Sequence, residues 1–193
     1  MVEISPGIVA RAREHDADAF REILELFEKP IYQTVYRLVG GRHALEVEDI
    51  CQDVFLKIFK ALERFDPERG VKFSTWVYTF VRNHCFDVLK KRRLTVVHPE
   101  VLREDGQVSR FEFPSDDAHP ADEALSTELG QQIAKAVSSL PDDQRLVFIL
   151  REYQGLDYRE ISNIAGCSEG TVKSRLYRAK EALRNGLKQY VLR

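Results

Sequence analysis

The sequence predicts an all-α fold of two small helical domains joined by a flexible acidic linker. Three observations predict it. Apolar residues recur at steps of three and four over most of the 193 residues. No segment shows sustained two-residue alternation. Between residues 95 and 122 the periodicity fails, and Pro99, Gly106, Pro114 and Pro120 break up an acidic stretch. The expected division is therefore 1–94, 95–122 and 123–193.

Charge follows the same division. Residues 1–94 carry 15 acids and 16 bases, residues 95–122 seven acids and two bases, and residues 123–193 nine acids and 11 bases. Two slightly basic blocks flank an acidic tether, although the whole chain has a net charge of −2.

The first periodic segment is Phe20, Ile23, Leu24, Phe27, Ile31, Val35 and Leu38. Asp16 or Asp18 is positioned to cap it, Pro30 to kink it or start a second helix, and Gly40-Gly41 to end it. The next helix has a broad apolar stripe of Val47, Ile50, Cys51, Val54, Phe55, Ile58, Phe59 and Leu62. Glu46, Glu48, Asp49, Gln52, Asp53 and Lys60 take the other side. Asp66-Pro67 and Gly70 make a loop. Ser74 or Thr75 is expected to cap a third helix, which buries Val77, Phe80, Val81 and Val88 and ends in the basic run Lys90–Arg93.

After the linker, Leu125, Leu129, Ile133, Val137 and Leu140 restore the helical period. Pro141 suits the first turn of a helix carrying Leu146, Val147, Ile149, Leu150 and Tyr153, closed by Gly155. Asp157 with Glu160 then forms a capping-box start, Gly166 a stop and Ser168 a new N-cap.

That punctuation describes a helix-turn-helix. Ile161, Ile164 and Ala165 pack the first helix, and Val172 and Leu176 anchor the second. Glu169, Thr171, Lys173, Ser174, Arg175, Tyr177 and Arg178 are left outward or flanking. Short polar groups near a helix N-terminus suit base edges, and cations suit phosphates. The motif predicts binding to duplex DNA without distinguishing a repressor, an activator or a polymerase subunit.

Other classes are disfavoured. Cys51, Cys85 and Cys167 are odd in number and lack metal-ligand spacing, and each lies in or beside an apolar helical pattern. They read as buried free thiols, with no metal site. No nucleophile–base pair or Gly-rich phosphate loop points to an enzyme, and no cofactor is implied. No signal peptide and no membrane-spanning apolar run are visible, so a cytoplasmic protein is expected.

Two stretches carry a family resemblance. "ALEVEDICQDVFLKIFKAL" followed by "FDPERGVKFSTWVYTFVRNHCFDVLKKRR" resembles region 2 of sigma-70-family transcription initiation factors. "LPDDQRLVFILREYQGLDYREISNIAGCSEGTVKSRLYRAKEALRN" resembles their region 4. The short chain, with only a linker between the two, resembles the extracytoplasmic-function (ECF) group. "GGRHALEVEDI" is slightly longer than the usual turn into the region 2 helix.

The resemblance implies roles. Core RNA polymerase would be bound through Asp49, Gln52, Asp53 and Phe55, docked on the clamp helices of the largest subunit, and through the flap. The −10 element would be recognised and melted by Arg69, Lys72, Phe73, Trp76, Thr79 and Asn83, with Lys90, Lys91, Arg92 and Arg93 on phosphates. Trp76, Thr79 and Asn83 lie at i, i+3 and i+7, which puts them on one helix face. For Trp76, core packing and DNA contact are both open at this stage. The −35 element would be read by Glu169, Thr171, Lys173, Ser174, Arg175, Tyr177 and Arg178. An anti-sigma factor is a further implied partner. The rival reading is a stand-alone helix-turn-helix regulator whose first domain senses a ligand or dimerises.

Overall fold

A computed structural model describes residues 4–40, 44–97 and 128–191. Those residues form eight α-helices and no strand. The predicted linker falls almost wholly outside the described residues, as do Gly41, Arg42 and His43 of the lengthened turn and Leu125 at the start of the helical period that follows the linker.

The N-terminal domain comprises α1 (Pro6–Arg13), α2 (Ala17–Val39), α3 (Ala44–Ala61) and α4 (Phe73–Val97). Helix α1 was not expected. Its signal is Ser5, which caps Gly7, followed by Pro6 at the first helical position. Asp16 caps α2 by accepting from the backbone N–H groups of Asp18 and Ala19. Its carboxyl is also held below the usual range, mainly by its hydrogen bond with Arg11. Pro30 does not split α2, which runs through it, and Thr34 donates its hydroxyl proton to the Pro30 carbonyl at 2.8 Å. Gly40, at φ 85°, ends the helix in a conformation that favours glycine.

Two short 3₁₀ turns, Leu62–Arg64 and Pro67–Arg69, form the loop into α4. The expected cap at Ser74 or Thr75 is corrected. Helix α4 already begins at Phe73, and both hydroxyl residues are buried in its first turn. Nor does the helix stop in the basic run. It continues through Lys90–Arg93 to Val97, three residues into the segment assigned to the linker.

The core of this domain joins one face of α2 (Ile23, Phe27, Ile31, Leu38) to α3 (Val47, Val54, Ile58) and α4 (Val77, Val81, Cys85). Within the predicted stripes, Phe59 is exposed and packs edge-on against Phe20, while Phe80 and Val88 are only half-buried. Cys51 and Cys85 are buried free thiols and Cys167 is half-buried. Burial pushes the Cys85 thiol up to about 12.

The C-terminal domain comprises α5 (Glu128–Ser138), α6 (Asp142–Glu152), α7 (Tyr158–Ala165) and α8 (Glu169–Val191). Leu146, Val147, Ile149 and Leu150 of α6 form its centre, packed with Ile161, Ile164, Val172, Leu176 and Ala179. The two domains pack together, with α6 against α2 and α7 against α4.

Candidate nucleic-acid interface

The helix-turn-helix is built by local chemistry. Asp157 accepts from the Glu160 N–H at 2.8 Å, and Glu160 accepts from the Asp157 N–H at 2.8 Å. Gly166 takes the left-handed conformation at φ 63°, and a Cβ there would meet open space. The backbone angle, rather than crowding, is what calls for glycine. Ser162 donates to the Cys167 carbonyl, and Ser168 accepts from the Thr171 N–H at 3.2 Å, starting α8.

Val172, Leu176 and Ala179 hold the inner face of α8. Glu169, Lys173, Ser174, Tyr177 and Arg178 are exposed, and Tyr177 reaches 68%. Thr171 and Arg175 are half-buried on the flank. The Arg175 guanidinium lies 2.8 Å from Asp143 and 3.6 Å from the Cys167 sulfur. Arg151 (4.9 Å) and Lys173 (5.5 Å) both lie over the ring of Tyr158 of α7. This face offers hydroxyls, a phenol and cations on one rigid helix, as duplex recognition requires.

The α3–α4 candidates are distributed differently. Asp49 and Asp53 are exposed and Gln52 half-buried, whereas Phe55 is 6% exposed and belongs to the core. Phe73 is likewise buried, among Phe27, Phe65 and Trp76. Trp76 is half-buried, 4.8 Å from Phe80 and 5.2 Å from Phe65. Its body packs on this aromatic cluster and its remaining edge meets solvent. Thr79 donates back to the Thr75 carbonyl. Asn83 is exposed, with its amide oxygen accepting from Arg82 at 2.8 Å.

The basic candidates separate into groups. Arg69 is exposed, 3.4 Å from Asp66, and Lys90 and Lys91 are also exposed. Arg92 bonds to Glu46 and, at 3.2 Å, to the Val39 carbonyl, tying α4 to α2 and α3. Lys72 and Arg93 turn to the other domain, Lys72 to Glu160 at 2.8 Å and Arg93 to Asp142. Those two ion pairs, and the hydrogen bond of Gln154 with Tyr78, carry no sequence signal because the partners lie far apart in the chain.

Among the described residues no group of three or more His, Cys, Asp and Glu side chains could hold a metal ion. No helix there is long and apolar enough to cross a membrane.

Comparison with known proteins decides what bears these faces. Two family models match: Sigma-70 region 2 over residues 23–95 and Sigma-70, region 4 over residues 130–183. The ECF RNA polymerase sigma factor SigW of Bacillus subtilis is 34% identical over 93% of this chain and 95% of its own length. The chain belongs to the ECF group of the sigma-70 family. The ECF RNA polymerase sigma-E factor of Escherichia coli K12 is 30% identical over 96% of this chain and 95% of its own. In three dimensions the chain is similar to the sigma factor RpoE of Bartonella quintana, solved with the anti-sigma factor NepR. That match has a TM-score of 0.64 and 27% identity over 88% of this chain and 96% of the other.

As an ECF sigma factor the chain directs transcription initiation and is not an enzyme. The matched regions account for the helices. Region 2 spans most of α2 and all of α3, with α4 up to residue 95, while region 4 runs from the third residue of α5 into α8.

Proposed function

We propose that this sigma factor binds core RNA polymerase through the polar face of α3 and reads two promoter elements with separate domains. Helix α8 enters the major groove of the −35 element, where Lys173, Ser174, Tyr177 and Arg178 supply base-edge and phosphate contacts. The Trp76–Thr79–Asn83 face of α4 takes an unpaired base of the −10 element, with Arg69 and Lys90–Arg93 along the phosphates. Stacking, base-edge hydrogen bonds and phosphate neutralisation together suit a single strand. The sigma factor supplies specificity and holds the open strand, while phosphodiester synthesis belongs to the polymerase. It works in the cytoplasm, and an anti-sigma factor is a natural partner given the relative solved with one.

The observation that carries this reading is the exposed polar row of α8 on a fully capped helix-turn-helix, behind a region 2 domain that keeps Asn83 exposed. Run-off transcription with purified core polymerase on candidate promoters tests it. Initiation that depends on both the chain and the promoter is expected. A chain that binds duplex operators but leaves polymerase unresponsive would return the reading to a stand-alone regulator.

A further inference from the structure

The seam between α3 and α4 carries a lysine–histidine–aspartate relay beside the docking face. Asp49, Asp53 and Lys57 follow at i, i+4 and i+8, one row of α3. His84, Asp87 and Lys91 follow at i, i+3 and i+7, one row of α4. Across the seam Lys57 Nζ lies 2.5 Å from His84 Nδ1, and His84 Nε2 lies 3.2 Å from Asp53 Oδ2. The imidazole is sunk between the helices, with its side chain 11% exposed, whereas the Asp53 side chain is 53% exposed.

The lysine selects the tautomer. An ammonium group has three donors and no acceptor, so Nδ1 accepts from Lys57 and the ring proton sits on Nε2, on the side of Asp53. Asp53 stands off the line of that N–H, which leaves the buried Nε2 without a full hydrogen bond. The contact is therefore electrostatic, a positive ring edge against one carboxylate oxygen. It restrains the carboxylate without neutralising it.

We propose that His84 is a positioning residue for polymerase docking: kept neutral beside Lys57, it holds the Asp53 carboxylate ready for a cationic side chain of the polymerase. The inference rests on the docking of α3 given above. An unrestrained aspartate on a helix surface gives up rotamer freedom when it docks, and that loss is subtracted from affinity. Neutrality of the ring matters equally. Protonation sets an N–H on Nδ1 against the Lys57 ammonium and makes the ring a cation that competes with the polymerase for Asp53. Burial, Lys57 and Lys91 oppose that protonation, Asp53 and Asp87 favour it, and the net direction is downward.

Competition binding of the full chain to core polymerase tests the relay through a double-mutant cycle. At pH 7.5, Asp53→Ala and His84→Ala should each weaken binding roughly fivefold, and the double variant no further than Asp53→Ala. His84→Gln, whose amide N–H replaces that of Nε2, should bind within about twofold of wild type. Lys57→Met supplies a readout that a packing role does not move. It removes a charge that lowers the His84 pKa, so the loss of affinity on acidification should shift to higher pH. Measuring each affinity relative to His84→Gln at the same pH cancels the polymerase's own titration. Circular dichroism and unchanged −35 duplex affinity verify that the variants fold. Wild-type affinity in His84→Ala, additive losses in the cycle, or a Lys57→Met pH profile that superimposes on the wild type would overturn the positioning role. Unchanged binding by Asp53→Ala overturns it too, and Asp49→Ala with Gln52→Ala then separates the two readings. A loss in that variant retires His84 alone, whereas no loss retires the docking face of α3 as well.

Discussion

The Arg175 guanidinium of α8 lies 2.8 Å from the Asp143 carboxylate of α6. Arg178, three residues further along α8, is exposed. The two arginines should therefore respond differently. Arg178→Ala should weaken −35 binding, by about 1–3 kcal/mol and at one base position for a base contact, or uniformly across sequences for a phosphate contact. Asp143→Asn should tighten binding a few-fold, because it removes a negative charge and releases Arg175. Folding stability should shift by no more than about 1 kcal/mol, as for a half-exposed ion pair. Fluorescence anisotropy on −35 duplex across a salt series measures both. Wild-type affinity and salt slope in Arg178→Ala would remove that residue from the interface.

Asn83→Ala should leave −35 duplex binding intact and impair open-complex formation with core polymerase. The lost amide no longer offsets the few kcal/mol that extruding a base costs. A pre-melted −10 bubble should partly rescue the variant. Permanganate footprinting and run-off transcription on duplex and bubble templates follow the effect. Equal opening by variant and wild type would eliminate Asn83 as a base reader.

Asp49→Ala with Gln52→Ala should weaken core-polymerase binding without unfolding the domain. Asp49 is exposed and Gln52 half-buried, both off the apolar stripe of α3. Phe55 is unsuited to the same test, since its truncation would open a cavity in the core and confuse binding with stability. Competition binding together with circular dichroism gives the answer, and unchanged affinity in a folded double variant would reject these contacts.

His84 predicts a pH dependence. Its Nδ1 lies 2.5 Å from Lys57 Nζ and its Nε2 3.2 Å from Asp53, with Asp87 and Lys91 also acting on it. Burial first, and then Lys57, lower its pKa below the ordinary imidazole range. The unfolded chain therefore takes up this proton at higher pH than the folded one. Stability should fall as pH drops below about 6.5 and level off once the folded imidazole titrates. His84→Gln, which still donates and accepts, should lack that component. Urea melts between pH 5 and 7.5 compare the two, and parallel curves would exclude His84 as the source.

Much of the candidate site was legible because it is local. The capping box at Asp157 and Glu160, the left-handed Gly166 and the alternation of buried Val172 and Leu176 with exposed Lys173 and Tyr177 all depend on residues within a few positions. Where local signals compete, the reading erred. Ser74 and Thr75 are good caps by type, yet packing buries them inside the first turn of α4. Of the kink or new helix start expected at Pro30, the new start does not occur: α2 continues through it, with Phe27 and Ile31 buried to either side of the proline.

By itself, then, the sequence determined the all-α class, the order of two helical modules, the helix-turn-helix with its outward row, and the family that these motifs carry. Periodicity and capping act over a single turn of helix, so they are written in neighbouring residues. Only the tertiary structure decided that Trp76 shares its surface between an aromatic cluster and solvent, that Arg92 staples helices together, and that Lys72 and Arg93 face Glu160 and Asp142. It alone decided that Tyr78 meets Gln154, 76 positions away. Such partners are chosen by how two helical surfaces fit, and a hydrogen bond between distant side chains leaves no periodic trace in either stretch of chain.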